Sequence, residues 1–164
     1  MPAARTYEPI ATTTLGSAQA TVSFSSFAGY TDLYIVCDVA FASTTNFQVR
    51  FNSDSGTNYS NTLMVGNGST AVSDRQSNQT RIVPGYNGTT SAQRAVFNIS
   101  LMNYANTNTF KTCLLRVTNP GADVIAQVGL YRSTSAITSI QFAAQNGDNM
   151  TTGSTFTLYG ITAA

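Results

Sequence analysis

Apolar and polar residues alternate along most of this sequence, and this period of two is the feature that most constrains its fold. In 46–52, Phe47, Val49 and Phe51 fall on one face of an extended chain. Gln48 and Arg50 fall on the other face. Successive side chains of a β-strand point to opposite faces, so this alternation predicts half-buried strands. No window of useful length shows the i, i+3, i+4, i+7 spacing of an amphipathic helix.

The alternation predicts about ten short strands. They cover 32–41, 46–52, 93–102, 110–117, 123–132, 137–143 and 154–161, with weaker candidates at 8–14, 19–25, 59–65 and 78–83. Turn residues separate them at short intervals, which is typical of a sandwich or a barrel. Because each strand has one apolar and one polar face, we expect antiparallel pairing and two sheets packed face to face. The predicted fold is all-β, an antiparallel β-sandwich of the jelly-roll type.

The N-terminal residues 1–14 depart from this rhythm, because Pro2 and Pro9 interrupt them. Isolated apolar residues mark this part of the chain: Tyr7, Ile10 and Leu15. Such a terminal segment forms either an edge strand of the same sandwich or an arm that contacts a neighbouring molecule. For the arm, we predict that these three residues form the interface with the neighbour. Residues 15–164 are expected to form one domain, with exposed polar loops at 52–58 and 66–78.

Charged residues make up only 9% of the chain, and the net charge is +1. Lys111 is its single lysine, and the arginines are scattered. Nucleic acids and anionic membranes attract clustered Lys and Arg, so we expect neither as a partner. No apolar run approaches the roughly 20 residues that span a bilayer. A neutral Ser/Thr/Asn-rich surface suits packing against copies of the same protein, although polar, uncharged strands are also compatible with a plain β fold.

The residue types of most enzyme sites are scarce here. The chain has no histidine, which removes the commonest general base and metal ligand. Its seven acidic residues lie mostly at strand starts or in turns, where Asp serves local hydrogen bonding. Cys37 and Cys113 lie inside strand-like runs, and we predict both to be reduced and buried, with a disulfide as the alternative. We therefore predict no catalytic residues, no cofactor and no metal.

Two weaker patterns allow a binding site as the alternative to ordinary structure. Asn52, Asp54, Gly56 and Asn58 resemble the start of a calcium loop, but the bidentate Glu is missing, so a plain turn is favoured. Aromatic rings stack on sugars, which makes a tyrosine platform conceivable, but tyrosine in strands is ordinary β packing. The candidate tyrosines are Tyr30, Tyr34, Tyr59, Tyr86, Tyr104, Tyr131 and Tyr159.

Several phrases together resemble a family of small all-β virion proteins of tailed bacteriophages, notably phages of cyanobacteria. They are YEPIATTTLGSAQATVSFSSF (7–27), RFNSDSGTNYSNTLMVGNGST (50–70), SNQT (77–80), NYANTNTFKT (103–112), LYRSTSAITSI (130–140) and GSTFTLYGI (153–161). The resemblance spans nearly the whole chain, and none of the phrases is a catalytic motif. It implies a structural virion component, either a capsid cement (decoration) protein or a tail-fibre or tail-tip module.

We therefore expect a capsid cement protein, a homotrimer that binds the major capsid protein across neighbouring capsomers on the outer surface of the head. Residues 1–15 lack the features of a signal peptide, which fits assembly in the host cytoplasm. The alternative is a tail-fibre or tail-tip domain that uses loops 52–58 and 66–78 to recognise a host glycan. A carbohydrate-active enzyme is a third possibility, which the missing histidine and the scattered acids argue against.

Overall fold

The computed structural model describes residues 6–85, 93–119 and 123–162, and within these ranges it contains strands and no helix. The strands are β1 (Tyr7–Thr14), β2 (Thr21–Ser25), β3 (Asp32–Val39), β4 (Phe47–Phe51), β5 (Tyr59–Gly66), β6 (Ala71–Gln79), β7 (Ala95–Met102), β8 (Lys111–Asn119), β9 (Asp123–Tyr131), β10 (Ser139–Ala144) and β11 (Thr155–Ile161). The all-β prediction is confirmed, with eleven strands in place of about ten.

The strands form two sheets of unequal size. The large sheet has eight strands in the order β1-β11-β3-β7-β8-β9-β5-β6, and the small sheet has three in the order β2-β10-β4. Every adjacent pair is antiparallel. The pairing is nested, since β1 pairs with β11 and β2 with β10, and strands from the two ends of the chain thus lie side by side. This arrangement confirms the predicted antiparallel β-sandwich and is typical of the jelly-roll type.

Aromatic rings fill the space between the two sheets. Phe47 on β4 lies at the centre, with its ring centroid 4.5 Å from that of Phe97 on β7 and 5.6 Å from that of Phe142 on β10. The ring of Phe156 on β11 lies 6.3 Å away. Phe47, Phe97 and Phe156 are at most 1% exposed, which confirms the predicted inward register of their strands. One ring therefore joins both sheets through contacts within the range of favourable aromatic pairs.

The largest departure from the predicted elements lies at the end of the large sheet. Residues 66–78 were expected to form a loop, but 71–79 form β6, which pairs with β5. The turn between them is short, because Oδ1 of Asn67 accepts the N–H groups of Ser69 and Thr70 at 2.9 and 2.8 Å. The side chains of β6 are largely exposed, so backbone pairing and not burial determines this strand. The alternation signal cannot detect a strand that buries neither face.

The predicted strand at 78–83 is also wrong beyond Gln79. Ile82 makes only an isolated bridge with Val49, in which the two residues exchange backbone hydrogen bonds of 2.8 and 3.0 Å. This segment therefore runs along the edge of β4 that no strand of the small sheet pairs with. Gln48 was expected to face solvent, yet it is 8% exposed, and its Oε1 accepts a 2.7 Å hydrogen bond from Arg81.

Candidate functional site

The three residues predicted to contact a neighbour lie in different environments. Residues 7–14 form the edge strand β1. Tyr7 is 57% exposed, and its ring meets that of Tyr34 edge-on, with centroids 6.2 Å apart. Ile10 lies at an irregularity of β1 and packs half-buried against the core. Leu15 is 5% exposed and belongs to the core. The structure therefore places only Tyr7 of the three on the surface.

Tyr7 stands at one end of a larger feature, the outer face of the large sheet, which is the face turned away from the small sheet. Exposed apolar side chains cover its middle: Met64 on β5 (67% exposed), Leu114 on β8 (47%), and Val124 (61%) and Val128 (42%) on β9. The register places Leu114 opposite Val128. Antiparallel sheets normally turn a polar face to water. A contiguous exposed apolar patch marks an interaction surface.

The outer face is concave where these side chains lie, as expected of a twisted and coiled sheet. It contains a depression of about 610 Å³ that extends from Tyr7 and Tyr34 to Met64 and Val128. A second depression of about 480 Å³ adjoins it and reaches Val124. Since both are lined by Met64, Arg116 and Ala126, they form one groove across the middle of the sheet.

Among the described residues, Arg116 is the charged one that lines this groove. It is exposed, with Asn98 on β7 and Ala126 on β9 directly opposite it in register. Within the described ranges there is one salt bridge, between Arg94 and Asp38 at 2.9 Å, and neither residue lines the groove. The groove is thus an apolar surface with one cation and a few neutral polar groups.

The residues that resemble a calcium loop form a turn closed by its own hydrogen bonds. The carboxylate of Asp54 accepts the N–H of Gly56 at 2.7 Å and an amide hydrogen of Asn58 at 2.9 Å. The Asn58 and Gly56 hydrogen bonds lower the pKa of Asp54. In the described part of the chain, no group of three His, Cys, Asp or Glu residues lies in a position to hold a metal ion.

The described candidate tyrosines do not all assemble into one platform, although Tyr159 on β11 lies directly opposite Tyr34 on β3 in register. Tyr59, Tyr104 and Tyr131 are at most 3% exposed and belong to the core. Tyr86 lies outside the described residues. Tyr34 is the candidate tyrosine that lines the groove, where its hydroxyl donates to Oδ1 of Asn98 at 3.1 Å.

Two thiols and one amine are among the titratable groups buried away from the groove. Cys37 and Cys113 are free and buried, as predicted. Desolvation raises the pKa of both thiols, and it raises that of Cys113 from 9.0 to about 12, so the thiols stay protonated and unreactive at neutral pH. Lys111 is 1% exposed, and its ammonium donates to the carbonyl oxygens of Thr109, Ser133 and Thr134 at 2.9, 3.4 and 3.3 Å. Desolvation lowers the pKa of Lys111. This arrangement holds the loop after β9 against the start of β8.

The sequence contained a signal for the groove that period-two analysis passes over. Leu114-Leu115 and Val124-Ile125 are adjacent apolar pairs inside strands. One member of each pair enters the core, while the other lies on the outer face. Adjacent apolar residues in a strand indicate that both of its faces carry apolar side chains.

Fold and groove together define a β-sandwich whose large sheet carries an exposed, nearly uncharged apolar face. The sequence matches no protein-family model and no curated protein. In the described residues, no helix has the length and apolarity to cross a membrane.

Proposed function

We propose that this chain is a structural virion protein, a capsid cement (decoration) protein that binds the major capsid protein across neighbouring capsomers. The exposed apolar outer face of the large sheet is the observation that supports this function best. A cement protein acts through a rigid body and a broad contact surface, and it requires no reaction chemistry. The all-antiparallel sandwich provides the rigid body, and the outer face provides a surface suited to packing.

The exposed side chains of the outer face account for part of the binding free energy. Complete burial of one Leu, Val or Met side chain contributes about 1.5–3 kcal/mol. Roughly half of that remains available at side chains that are 42–67% exposed. Four such positions therefore contribute several kilocalories per mole, before the loss of translational and rotational freedom is subtracted. Several copies bound to one lattice would strengthen attachment further through multivalency.

We propose a homotrimer on the outer surface of the capsid, assembled in the host cytoplasm. A threefold molecule matches points where three capsomers meet. Tyr7 extends the apolar surface at the rim, where β1 ends the large sheet. Analytical ultracentrifugation of the intact chain tests the trimer, and a monomer or a dimer at micromolar concentration would contradict it.

Substitutions on the outer face test the docking surface itself. Leu114→Asp places a charge in the middle of the face and should strongly reduce binding to particles that lack this protein. Phe110→Asp is the matched control, because Phe110 is 52% exposed and does not line the groove. Both variants should fold, and the control should bind as the unmodified chain does. Equal binding of both variants to particles would refute docking through the outer face.

Binding should also depend little on salt, because few charges are available to be screened. A steep loss of bound protein between low and high salt would instead indicate an electrostatic interface, which the outer face does not provide.

A tail-fibre or tail-tip domain that recognises a host glycan is the second candidate. It is favoured by the β5–β6 hairpin, whose second strand is exposed along most of its length and whose tip, 67–70, is polar. The number of copies in purified particles separates the two functions. A cement protein should be present in numbers comparable to the capsomers, whereas a tip domain should be present in a few copies per tail.

A further inference from the structure

Two hydrogen-bond donors lie side by side in the groove, and no described residue accepts a hydrogen bond from either of them. Asn98 on β7 and Arg116 on β8 are directly opposite each other in register. The Tyr34 hydroxyl donates to Oδ1 of Asn98, which leaves the Nδ2 group of the same amide as a free donor. Within the described residues, neither this Nδ2 group nor the Arg116 guanidinium donates a hydrogen bond, and Arg116 forms no ion pair.

Among the residues that the structure describes, none supplies a negative charge next to Arg116. Its neighbours on the outer face are uncharged: Val96 and Ser100 on β7, Leu114 and Thr118 on β8, and Val124, Ala126 and Val128 on β9. Asp38 lies on β3, two strands away, and is already paired with Arg94. A partner that covers the apolar groove also removes water from Arg116. Covering a cation is unfavourable unless it gains a counter-charge.

This charge pattern excludes one simple occupant, the same face of a second copy. A twofold contact centred on the groove is self-complementary, so it would bring one Arg116 towards the other, and the acid of the same face on β3, Asp38, is already paired with Arg94. Like charges in a desolvated contact oppose association. The surface that covers the groove must therefore differ from the outer face and must supply an anion.

We infer that the groove binds an extended apolar segment of the partner that presents one carboxylate to Arg116 and Asn98. The inference rests on the proposed docking function and specifies the chemistry of the surface that is recognised. The apolar side chains of the segment contact Leu114, Val128 and Met64. Its carboxylate accepts hydrogen bonds from the guanidinium, which is suited to bidentate contact with a carboxylate, and from the Asn98 amide. The larger depression of the groove, of about 610 Å³, is big enough for a short peptide segment.

The chain contains no tryptophan, so indole fluorescence can report a peptide probe without interference from the protein. The probe is an acetylated tetrapeptide amide of sequence leucine–glutamate–leucine–tryptophan. A second peptide for comparison carries glutamine in place of glutamate. We expect the glutamate peptide to bind about five- to tenfold more tightly than the glutamine peptide, the range for a partly exposed ion pair with an added hydrogen bond. In Arg116→Gln the two peptides should bind with equal affinity.

Arg75→Gln is the matched control, because Arg75 is an exposed arginine on the edge strand β6 that does not line the groove. It should preserve the preference for the glutamate peptide. Chemical-shift changes of the Leu114 and Val128 methyl groups locate the bound probe. Absence of binding, equal affinity of both peptides for the unmodified chain, or a preference that survives in Arg116→Gln would overturn the inference. These results do not depend on particles, so the inference can fail while the binding of capsids by the outer face stands, and the reverse also holds.

Discussion

Phe47→Ala should be among the most destabilising single substitutions in this protein. Phe47 is 1% exposed, and its ring lies within 6.3 Å, centroid to centroid, of four other rings: Phe41, Phe97, Phe142 and Phe156. Truncating a buried Phe to Ala typically costs about 3–5 kcal/mol. Aromatic pairs contribute about 0.5–1.5 kcal/mol each beyond area burial. Since Phe47 joins both sheets, the surrounding rings cannot collapse into the cavity without moving a strand. We therefore expect a loss of about 4–5 kcal/mol.

Chemical denaturation monitored by circular dichroism measures this loss, with Phe110→Ala as the control. Phe110 is 52% exposed, so the same truncation should change the free energy of unfolding by less than about 1 kcal/mol. Phe47→Leu keeps part of the volume and should fall between the two, which preserves the comparison if Phe47→Ala does not fold. A loss below about 1 kcal/mol for Phe47→Ala would refute the central position assigned to this ring.

Three further predictions concern the interior. In Gly129→Ala the new Cβ would lie 2.7 Å from Cδ1 of Ile82 and 2.8 Å from Sγ of Cys113. The free energy of unfolding, measured by thermal or chemical denaturation, should therefore fall by about 1–3 kcal/mol. In the control Gly66→Ala the nearest atom is 3.8 Å away, and the free energy of unfolding should fall by less than about 1 kcal/mol. Lys111→Met should lower the free energy of unfolding by about 2–3 kcal/mol, because three carbonyl oxygens lose a charged donor. An unchanged free energy of unfolding in urea denaturation would contradict a stabilising role of these hydrogen bonds. Burial raises the pKa of Cys113 from 9.0 to about 12, so its contribution to the free energy of unfolding is fully present below pH 9.0. As the pH rises from there towards about 12, the free energy of unfolding should fall by up to about 1.4 kcal/mol per pH unit. Denaturation series from pH 8 to 11, compared with Cys113→Ala, measure it, and an identical alkaline loss in both proteins would contradict this assignment.

Much of the sandwich could be predicted because alternation is a local property of the sequence. Phe47, Phe97 and Phe156 were placed inside from their spacing alone, and burial of Cys37 and Cys113 followed from their positions in strand-like runs. The prediction did not extend to β6, since its side chains are largely exposed and its backbone is held by pairing with β5. Pairing depends on the neighbouring strand β5 and on the short turn that joins the two strands, and the side-chain pattern of β6 does not encode it by itself.

The interface residues illustrate the same limit. Tyr7, Ile10 and Leu15 looked equivalent as isolated apolar residues, yet Leu15 enters the core of its own sandwich and Tyr7 stays exposed. An apolar residue in a terminal segment has the same tendency to leave water whether its own core or a neighbour receives it. Only the path of β1 along β11 distinguishes these environments.

Alternation along the chain was enough to predict antiparallel strands with a core between two sheets, because a period of two admits few other solutions. Which apolar residues remain in contact with water depends instead on how the two sheets pack. The small sheet has three strands and the large one has eight, and the small sheet packs against one face only, so the opposite face keeps Met64, Leu114 and Val128 exposed around Arg116. Alternation assigns side chains to two faces of a strand, but the packing of the sheets decides which face is covered.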